Sequence, residues 1–252
     1  LGAKTLVLGF DARKTSAALA QSIALGICEA GADVIEIGLS GTEEMYAAVS
    51  EFNASGGIEV TASHNPIDYN GMKIVKHGSQ PLSAKEFASI QHIAEENKFS
   101  RPQSTGLVTN KKSEARESYI EKIIAFIRLE NLKPLKIVIN SGNGAAGPIV
   151  DALNNKLEEK GLKTNFIYVH HEPNPLFPNG IPNPLLEENR FSTTRAIIKE
   201  KADFGVAFDG DFDRCFLFDH LGNFVPGEYL VGLLAEVFLK KEKGATIVDD
   251  PR

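Results

Sequence analysis

Cysteine is nearly absent from these 252 residues: there are two, Cys28 and Cys215, far apart and each in an apolar context. Two such thiols cannot form the disulfide framework of a small secreted protein; they suit packed, reduced side chains in the cytoplasm. Long apolar runs are lacking as well. No stretch approaches the roughly 18 residues that cross a bilayer, so no membrane partner is expected. Basic runs are missing too, and a formal net charge of −6 argues against a nucleic-acid surface. Residues 1–11 do not read as a secretory leader, because Lys4 and Asp11 confine the apolar core to a strand's length. What is present is an ordinary soluble composition, 42% hydrophobic and 24% charged, enough for real cores. The length suggests two domains and part of a third. The chain does not open on methionine, and Asp250-Pro251-Arg252 follow directly on a strand-like run. It therefore reads as a piece of a longer protein.

Apolar runs bounded by turn residues predict strands at 4–9, 33–37, 57–60, 72–75, 135–139, 164–169, 204–208 and 215–218, with a short one at 245–249. Between them lie helical patterns. Thr15 or Ser16 can cap a helix carrying Leu19, Ala20, Ile23, Ala24 and Ile27 at three- and four-residue spacing. Thr42-Glu43-Glu44 opens another with acids in its first turn, and Ser83 caps one over 84–96. Further helices are expected at 113–128, after Pro148, at 192–201 and at 228–241. Residues 98–112 read as a polar linker, and five prolines from Pro173 to Pro184 exclude regular structure there. Strands alternating with helices indicate an α/β fold: successive αβ-layered domains with mixed, largely parallel sheets. The expected boundaries are 1–112, 113–225 and a partial unit at 226–252.

Two loops carry chemistry. Thr61-Ala62-Ser63-His64-Asn65-Pro66 follows a strand and is stiffened by Asn65-Pro66, with Asn70-Gly71 turning into the next strand at Lys73. Ser63 thus sits where a strand ends and a tight loop begins. The second loop places Asp209, Asp211 and Asp213 at alternate positions between two apolar runs. Carboxylates this close repel one another, and a hard divalent cation, magnesium above all, is their natural partner. Arg214 offers a planar fork for a phosphate. A third pattern, Gly142-x-Gly144-x-x-Gly147, matches a dinucleotide fingerprint on paper, but the proline-crowded loop after it does not suit a nucleotide domain.

The serine loop and the aspartate loop together resemble the α-D-phosphohexomutase superfamily, in particular its bacterial phosphomannomutase branch. Gly9-Phe10-Asp11-Ala12-Arg13, Gly71-Met72-Lys73, the glycine run, the stretch from Phe177 to Pro184 and Asp250-Pro251-Arg252 extend the likeness along nearly the whole chain. The resemblance implies a mutase that interconverts hexose 6-phosphate and hexose 1-phosphate, mannose foremost, through a hexose 1,6-bisphosphate. It implies that Ser63 carries the phosphoryl group, and that Mg2+ is held by Ser63, Asp209, Asp211 and Asp213. His64 and Lys73 would handle the sugar hydroxyl's proton, with lysine the better base only if its pKa is lowered by the neighbouring cation. Arg214 and Arg13 would bind substrate. The partners expected are small-molecule hexose phosphates, in the cytoplasm. The family has four domains, so a piece holding two and part of a third is expected to be inactive alone as a mutase. An alternative for the Asp-x-Asp core is a metal-dependent phosphatase with an aspartate nucleophile, which Phe212 and the motif's distance from the start of the chain do not fit.

Overall fold

The apolar runs read as strands gather into two five-stranded sheets. The computed structural model describes residues 2–97, 99, 102 and 104–248. In the first sheet β1 (Thr5–Phe10) is central, with β2 (Asp33–Leu39) on one side and β3 (Gly56–Val60) on the other, all parallel. The helices α1 (Ser16–Glu29) and α2 (Thr42–Glu51) make the crossovers. After β3 the chain forms the Ser63 loop and returns antiparallel as β4 (Met72–Lys76), followed by α3 (Ala84–Glu96). Ser83 caps α3 with a reciprocal capping box to Glu86. β5 (Val108–Asn110) completes the sheet by pairing in parallel with β2.

The helix α4 (Lys112–Ala125) leads to the second sheet, where β6 (Lys136–Asn140) is central. α5 (Ala146–Glu159) and α6 (Phe191–Glu200) connect it to its parallel neighbours β7 (Asn165–Val169) and β8 (Phe204–Phe208). β9 (Cys215–Phe218) and β10 (Phe224–Val225) extend this sheet in antiparallel fashion, and α7 (Gly227–Lys241) follows. Both sheets are therefore mixed. In each, the two strands flanking the centre are reached by crossovers on opposite sides, which opens a crevice at the carboxyl ends of the strands. Ser63 lies beyond the end of β3 and Asp209 begins the turn after β8, so the two crevices supply the two loops.

Several expectations need correction. The linker at 98–112 contains β5, a strand of three exposed residues that shows no apolar pattern and exists only by pairing with β2. The helix expected over 113–128 begins at Lys112 and ends at Ala125. Residues 245–248 of the expected strand 245–249 are irregular, and no described strand lies beside them to satisfy a ladder. Asp250-Pro251-Arg252 lies outside the described residues. Thr15 stands at the start of α1, but its hydroxyl makes no cap and accepts from Asn70 Nδ2 at 2.8 Å instead. Cys28 is buried as expected, whereas Cys215 is exposed; both are free thiols. Among the described residues no helix is long and apolar enough to cross a membrane.

The units meet through α2 and α4. Arg116 on α4 donates to Glu44 on α2 at 2.7 Å and to the carbonyl of Leu39 at 2.8 Å, and Glu44 is completely buried. Phe212, from the loop after β8, is buried among Ile120, Ile124, Ala145 and Ala146, with Leu39 of the first sheet against the same cluster. Its ring centroid lies 6.3 Å from that of Tyr119. A shared apolar core of this kind sets the distance between the two loops.

Candidate active site

Asp11, at the end of β1, starts the construction of the serine loop. Its carboxylate accepts from Ser16 Oγ at 2.5 Å and from Thr61 Oγ1 at 2.8 Å, and Thr61 Oγ1 in turn accepts from the Ser63 amide at 2.8 Å. Arg13 then fixes the loop from beneath. Its Nη2 donates to the carbonyls of Ser63 (2.9 Å) and Asn65 (2.5 Å), and its Nη1 to those of Pro66 (2.8 Å) and Tyr69 (3.0 Å). A planar guanidinium suits this task because its donors point in fixed directions. Arg13 is 4% exposed. It therefore holds the loop rather than facing substrate, which corrects the role expected for it. Ser63 itself has φ of +49°, a left-handed conformation that costs a non-glycine residue roughly 1–2 kcal/mol and is maintained by these contacts.

The aspartate loop meets Ser63 directly. Ser63 Oγ donates to Asp209 Oδ2 at 2.6 Å, and Arg214 Nη2 donates both to Ser63 Oγ at 2.8 Å and to Asp209 Oδ2 at 2.6 Å. His64 Nδ1 lies 3.3 Å from Ser63 Oγ and also contacts Arg214 Nη2. Lys73 Nζ bridges Asp211 (2.7 Å) and Asp213 (2.6 Å). At Gly210 an added Cβ would come within 2.7 Å of the Ser63 carbonyl oxygen, so only glycine allows this approach. The structure thus brings Ser63, His64, Lys73, Arg214 and the three aspartates together, although the serine and Asp209 are 146 residues apart.

Electrostatics sharpens the roles. Burial pushes Asp209 up to about 6, helped by the like charge of Asp211, against the opposing pull of Ser63 and Arg214. Burial also raises Asp211, but Lys73 and the hydroxyls of Thr42 and Ser63 outweigh it and leave its carboxyl below the usual range. For Lys73, burial works to lower the pKa, yet Asp211 and Asp213 prevail and hold it above its ordinary value. Lys73 therefore stands as a cation held between Asp211 and Asp213. Burial and then Arg214 lower His64, which keeps its imidazole neutral and its Nδ1 able to accept a proton.

The three carboxylates fit a divalent cation. One oxygen from each lies within 4.8 Å of the others. Lys73 and Arg214 offset two of the three charges, and Asp211 Oδ1 is buried with no hydrogen-bond partner. A buried, unpartnered carboxylate oxygen is costly unless a cation takes it.

The glycine run does not form a nucleotide cradle. Gly144 packs on Gly210 closely enough that a Cβ would meet its carbonyl oxygen at 2.7 Å, and the Ala145 amide donates to that carbonyl at 3.0 Å. These residues buttress the aspartate loop. Sequence reasoning missed Gly41 and Thr42, which read only as the start of a helix. Gly41 leaves α2 without a side-chain cap, as do the first residues of most helices here, so nothing local marks the contact that Thr42 makes.

Comparison with known proteins agrees with this geometry. A family model described as phosphoglucomutase/phosphomannomutase, alpha/beta/alpha domain I, matches residues 1–101, and its domain II counterpart matches residues 117–222. The chain is 52% identical over 250 residues to the phosphomannomutase of Salmonella montevideo, which covers 99% of this chain and 55% of that protein. It is 46% identical over 248 residues to a Xanthomonas campestris protein described as phosphohexose mutases, covering 98% of this chain and 54% of that protein. A crystal structure of a phosphoglucomutase/phosphomannomutase family protein from Burkholderia thailandensis superposes with a TM-score of 0.84 at 29% identity, covering 97% of this chain and 52% of that one. The chain thus spans about half the length of the relatives it matches.

Proposed function

The chain belongs to the phosphoglucomutase/phosphomannomutase family, and from that premise we propose that it is the nucleophile- and metal-bearing part of a cytoplasmic phosphohexomutase. The observation that carries this reading is the contact of Ser63 Oγ with Asp209 Oδ2 at 2.6 Å, made beneath the Arg214 fork. The enzyme would interconvert hexose 6-phosphate and hexose 1-phosphate through a phosphoserine at Ser63 and a hexose 1,6-bisphosphate. Mannose is the sugar that the names of the relatives support. Residues 1–112 would form the phosphoserine domain, 113–225 the metal-binding domain and 226–252 the start of a third. The ends of β5 at Asn110 and β10 at Val225 support these bounds. The free thiols Cys28 and Cys215 fit a reducing compartment.

The chemistry follows from the residues in place. In the forward step the bond between phosphorus and Ser63 Oγ breaks while one forms to a sugar hydroxyl oxygen. The hydroxyl proton passes to His64 Nδ1 and from there to Ser63 Oγ, 3.3 Å away. The bisphosphate turns round, and the same steps in reverse return its other phosphoryl group to Ser63. Arg214 and Lys73 supply fixed positive charge to a transfer that depends on positioning and electrostatics more than on covalent assistance. Asp209, Asp211 and Asp213, with an oxygen of the Ser63 phosphate, would hold Mg2+, which supplies further neutralisation of charge on the phosphoryl oxygens when bound.

Incubation with mannose 1,6-bisphosphate, followed by intact mass and site mapping, tests the reading. One phosphate on Ser63, absent from Ser63→Ala, is expected. A hydroxylamine-labile phosphate on Asp209 would establish the phosphatase alternative instead.

A further inference from the structure

Besides the two loops, a third element touches the site. The start of α2 is seated against the aspartate loop: the Thr42 amide donates to the Asp211 carbonyl at 3.2 Å, and Thr42 Oγ1 donates to Asp211 Oδ2 at 2.6 Å. Both side chains are buried, Thr42 at 1% exposed and Asp211 at 0%. The seat is tight. A Cβ on Gly41 would stand 2.3 Å from the Phe212 ring and 2.4 Å from the Asp211 carbonyl oxygen. Phe212 holds a left-handed φ of +46°, so the backbone bends here to bring the loop onto the helix.

The consequence lies in how the two oxygens of Asp211 are divided. Oδ2 receives Thr42 Oγ1 and Lys73 Nζ, while Oδ1 is buried and has no partner. Lys73 is shared with Asp213 and sits on a flexible stem, 30% exposed. Thr42 is buried and is tied to Asp211 twice, through its amide and through its hydroxyl. Of the two donors it is the one that can fix the plane of the carboxylate.

We propose that Thr42 is a positioning residue for the metal site: its hydroxyl engages Asp211 Oδ2 and so presents Oδ1 to the cation. The proposal rests on the reading of the three aspartates as a Mg2+ site. It means that the helix α2, which packs beside the first sheet, sets the aim of a ligand carried by the loop after β8.

Calorimetric titration of the dephosphorylated chain with MgCl2 tests it, comparing the parent chain with Thr42→Val, which keeps the shape and loses the hydroxyl, and Thr42→Ser, which keeps the hydroxyl. Loss of a hydrogen bond to a charged group should weaken Mg2+ binding about tenfold in Thr42→Val, and Thr42→Ser should bind as the parent does. Near-UV circular dichroism establishes that each variant is folded. Parent-like binding in a folded Thr42→Val overturns the proposal. If Thr42→Val does not fold, Thr42→Ser still decides, because weak binding with the hydroxyl retained also overturns it. Asp211→Asn separates the two layers. If the parent's Mg2+ binding survives Asp211→Asn, the metal-site reading itself is wrong; if Asp211→Asn abolishes it and Thr42→Val does not weaken it, only the role of Thr42 is wrong.

Discussion

Arg13 Nη2 donates to the main-chain carbonyl of Ser63 at 2.9 Å, so the side chain that fixes this serine does so without touching its hydroxyl. The grip acts on shape and leaves the chemistry free. Arg13→Lys keeps the charge but replaces a fixed fork with a single mobile ammonium that cannot serve the carbonyls of Ser63, Asn65, Pro66 and Tyr69 together. The expected outcome is faster amide hydrogen exchange across residues 63–70 and at least tenfold slower phosphate uptake by Ser63, since misplacing a reacting group is costly. An unchanged exchange pattern would show that Asp11 and the Pro66 turn are sufficient.

Gly210→Ala should force the two loops apart. The added methyl would stand 2.7 Å from the Ser63 carbonyl oxygen, which Arg13 holds and which cannot retreat freely. Overpacking of this kind costs typically about 1–3 kcal/mol, and urea denaturation will measure it. Weaker Mg2+ binding is expected alongside, because the loop that is displaced carries the three aspartates proposed to hold the ion.

Removing Arg116 should be expensive, and removing Lys111 should not. Arg116→Met leaves the completely buried Glu44 without its partner, a situation that typically costs about 3–5 kcal/mol. Lys111 and Glu114 form an exposed pair at 2.9 Å, and Lys111→Met should change stability by less than about 0.5 kcal/mol. Equal effects in denaturant titrations would mean that the contact between α2 and α4 contributes little to holding the two sheets together.

Glu59 gives the chain a pH dependence of defined sign. It is fully buried, with Ser40 as its hydrogen-bond partner at 3.0 Å, and burial above all holds its carboxyl well above the usual value of 4.5. Below that value the folded and unfolded chains both carry the proton, and the group has no effect. Above it the unfolded chain ionises first, the folded chain binds more protons, and stability falls with rising pH until the folded pKa is passed. Asp11, Asp211 and Glu44 add to the elevation through their negative charge. Glu59→Gln cannot ionise, so its stability relative to the parent should rise as the pH is raised above 4.5. A constant difference between the two proteins across that rise would contradict this account.

Much of this architecture is written in local chemistry, and the parts that are not have a common cause. The Ser83 cap is legible because the groups that satisfy it, Ser83 and Glu86, are three residues apart. β3 and β8 announce themselves by apolar runs, and the aspartates by their spacing. β5 is illegible because its three residues are all exposed and its stability comes from β2, more than 70 positions away, Val34 pairing with Val108. The part played by Arg13 was illegible for the same reason. A side chain's type limits what it can bind, but whether Arg13 meets a substrate or the carbonyls of its own loop depends on where residues 63–69 come to lie. Thr42 is the extreme case, since its partner Asp211 is 169 positions further along the chain.

Those separations also fix an order of events at the ribosome. The Ser63 loop and its Arg13 support lie within residues 11–71, whereas the partner of the serine hydroxyl follows 146 residues later. At bacterial and eukaryotic elongation rates of roughly 5–20 residues per second, that delay amounts to about 7–30 s. Throughout this interval Thr42 and Gly41 present the seat that Phe212 will later cover, and Ser63 has neither Asp209 nor Arg214 beside it. The nascent chain thus displays a serine already shaped by its loop, whose hydroxyl finds Asp209 and Arg214 only when the second sheet packs on the first.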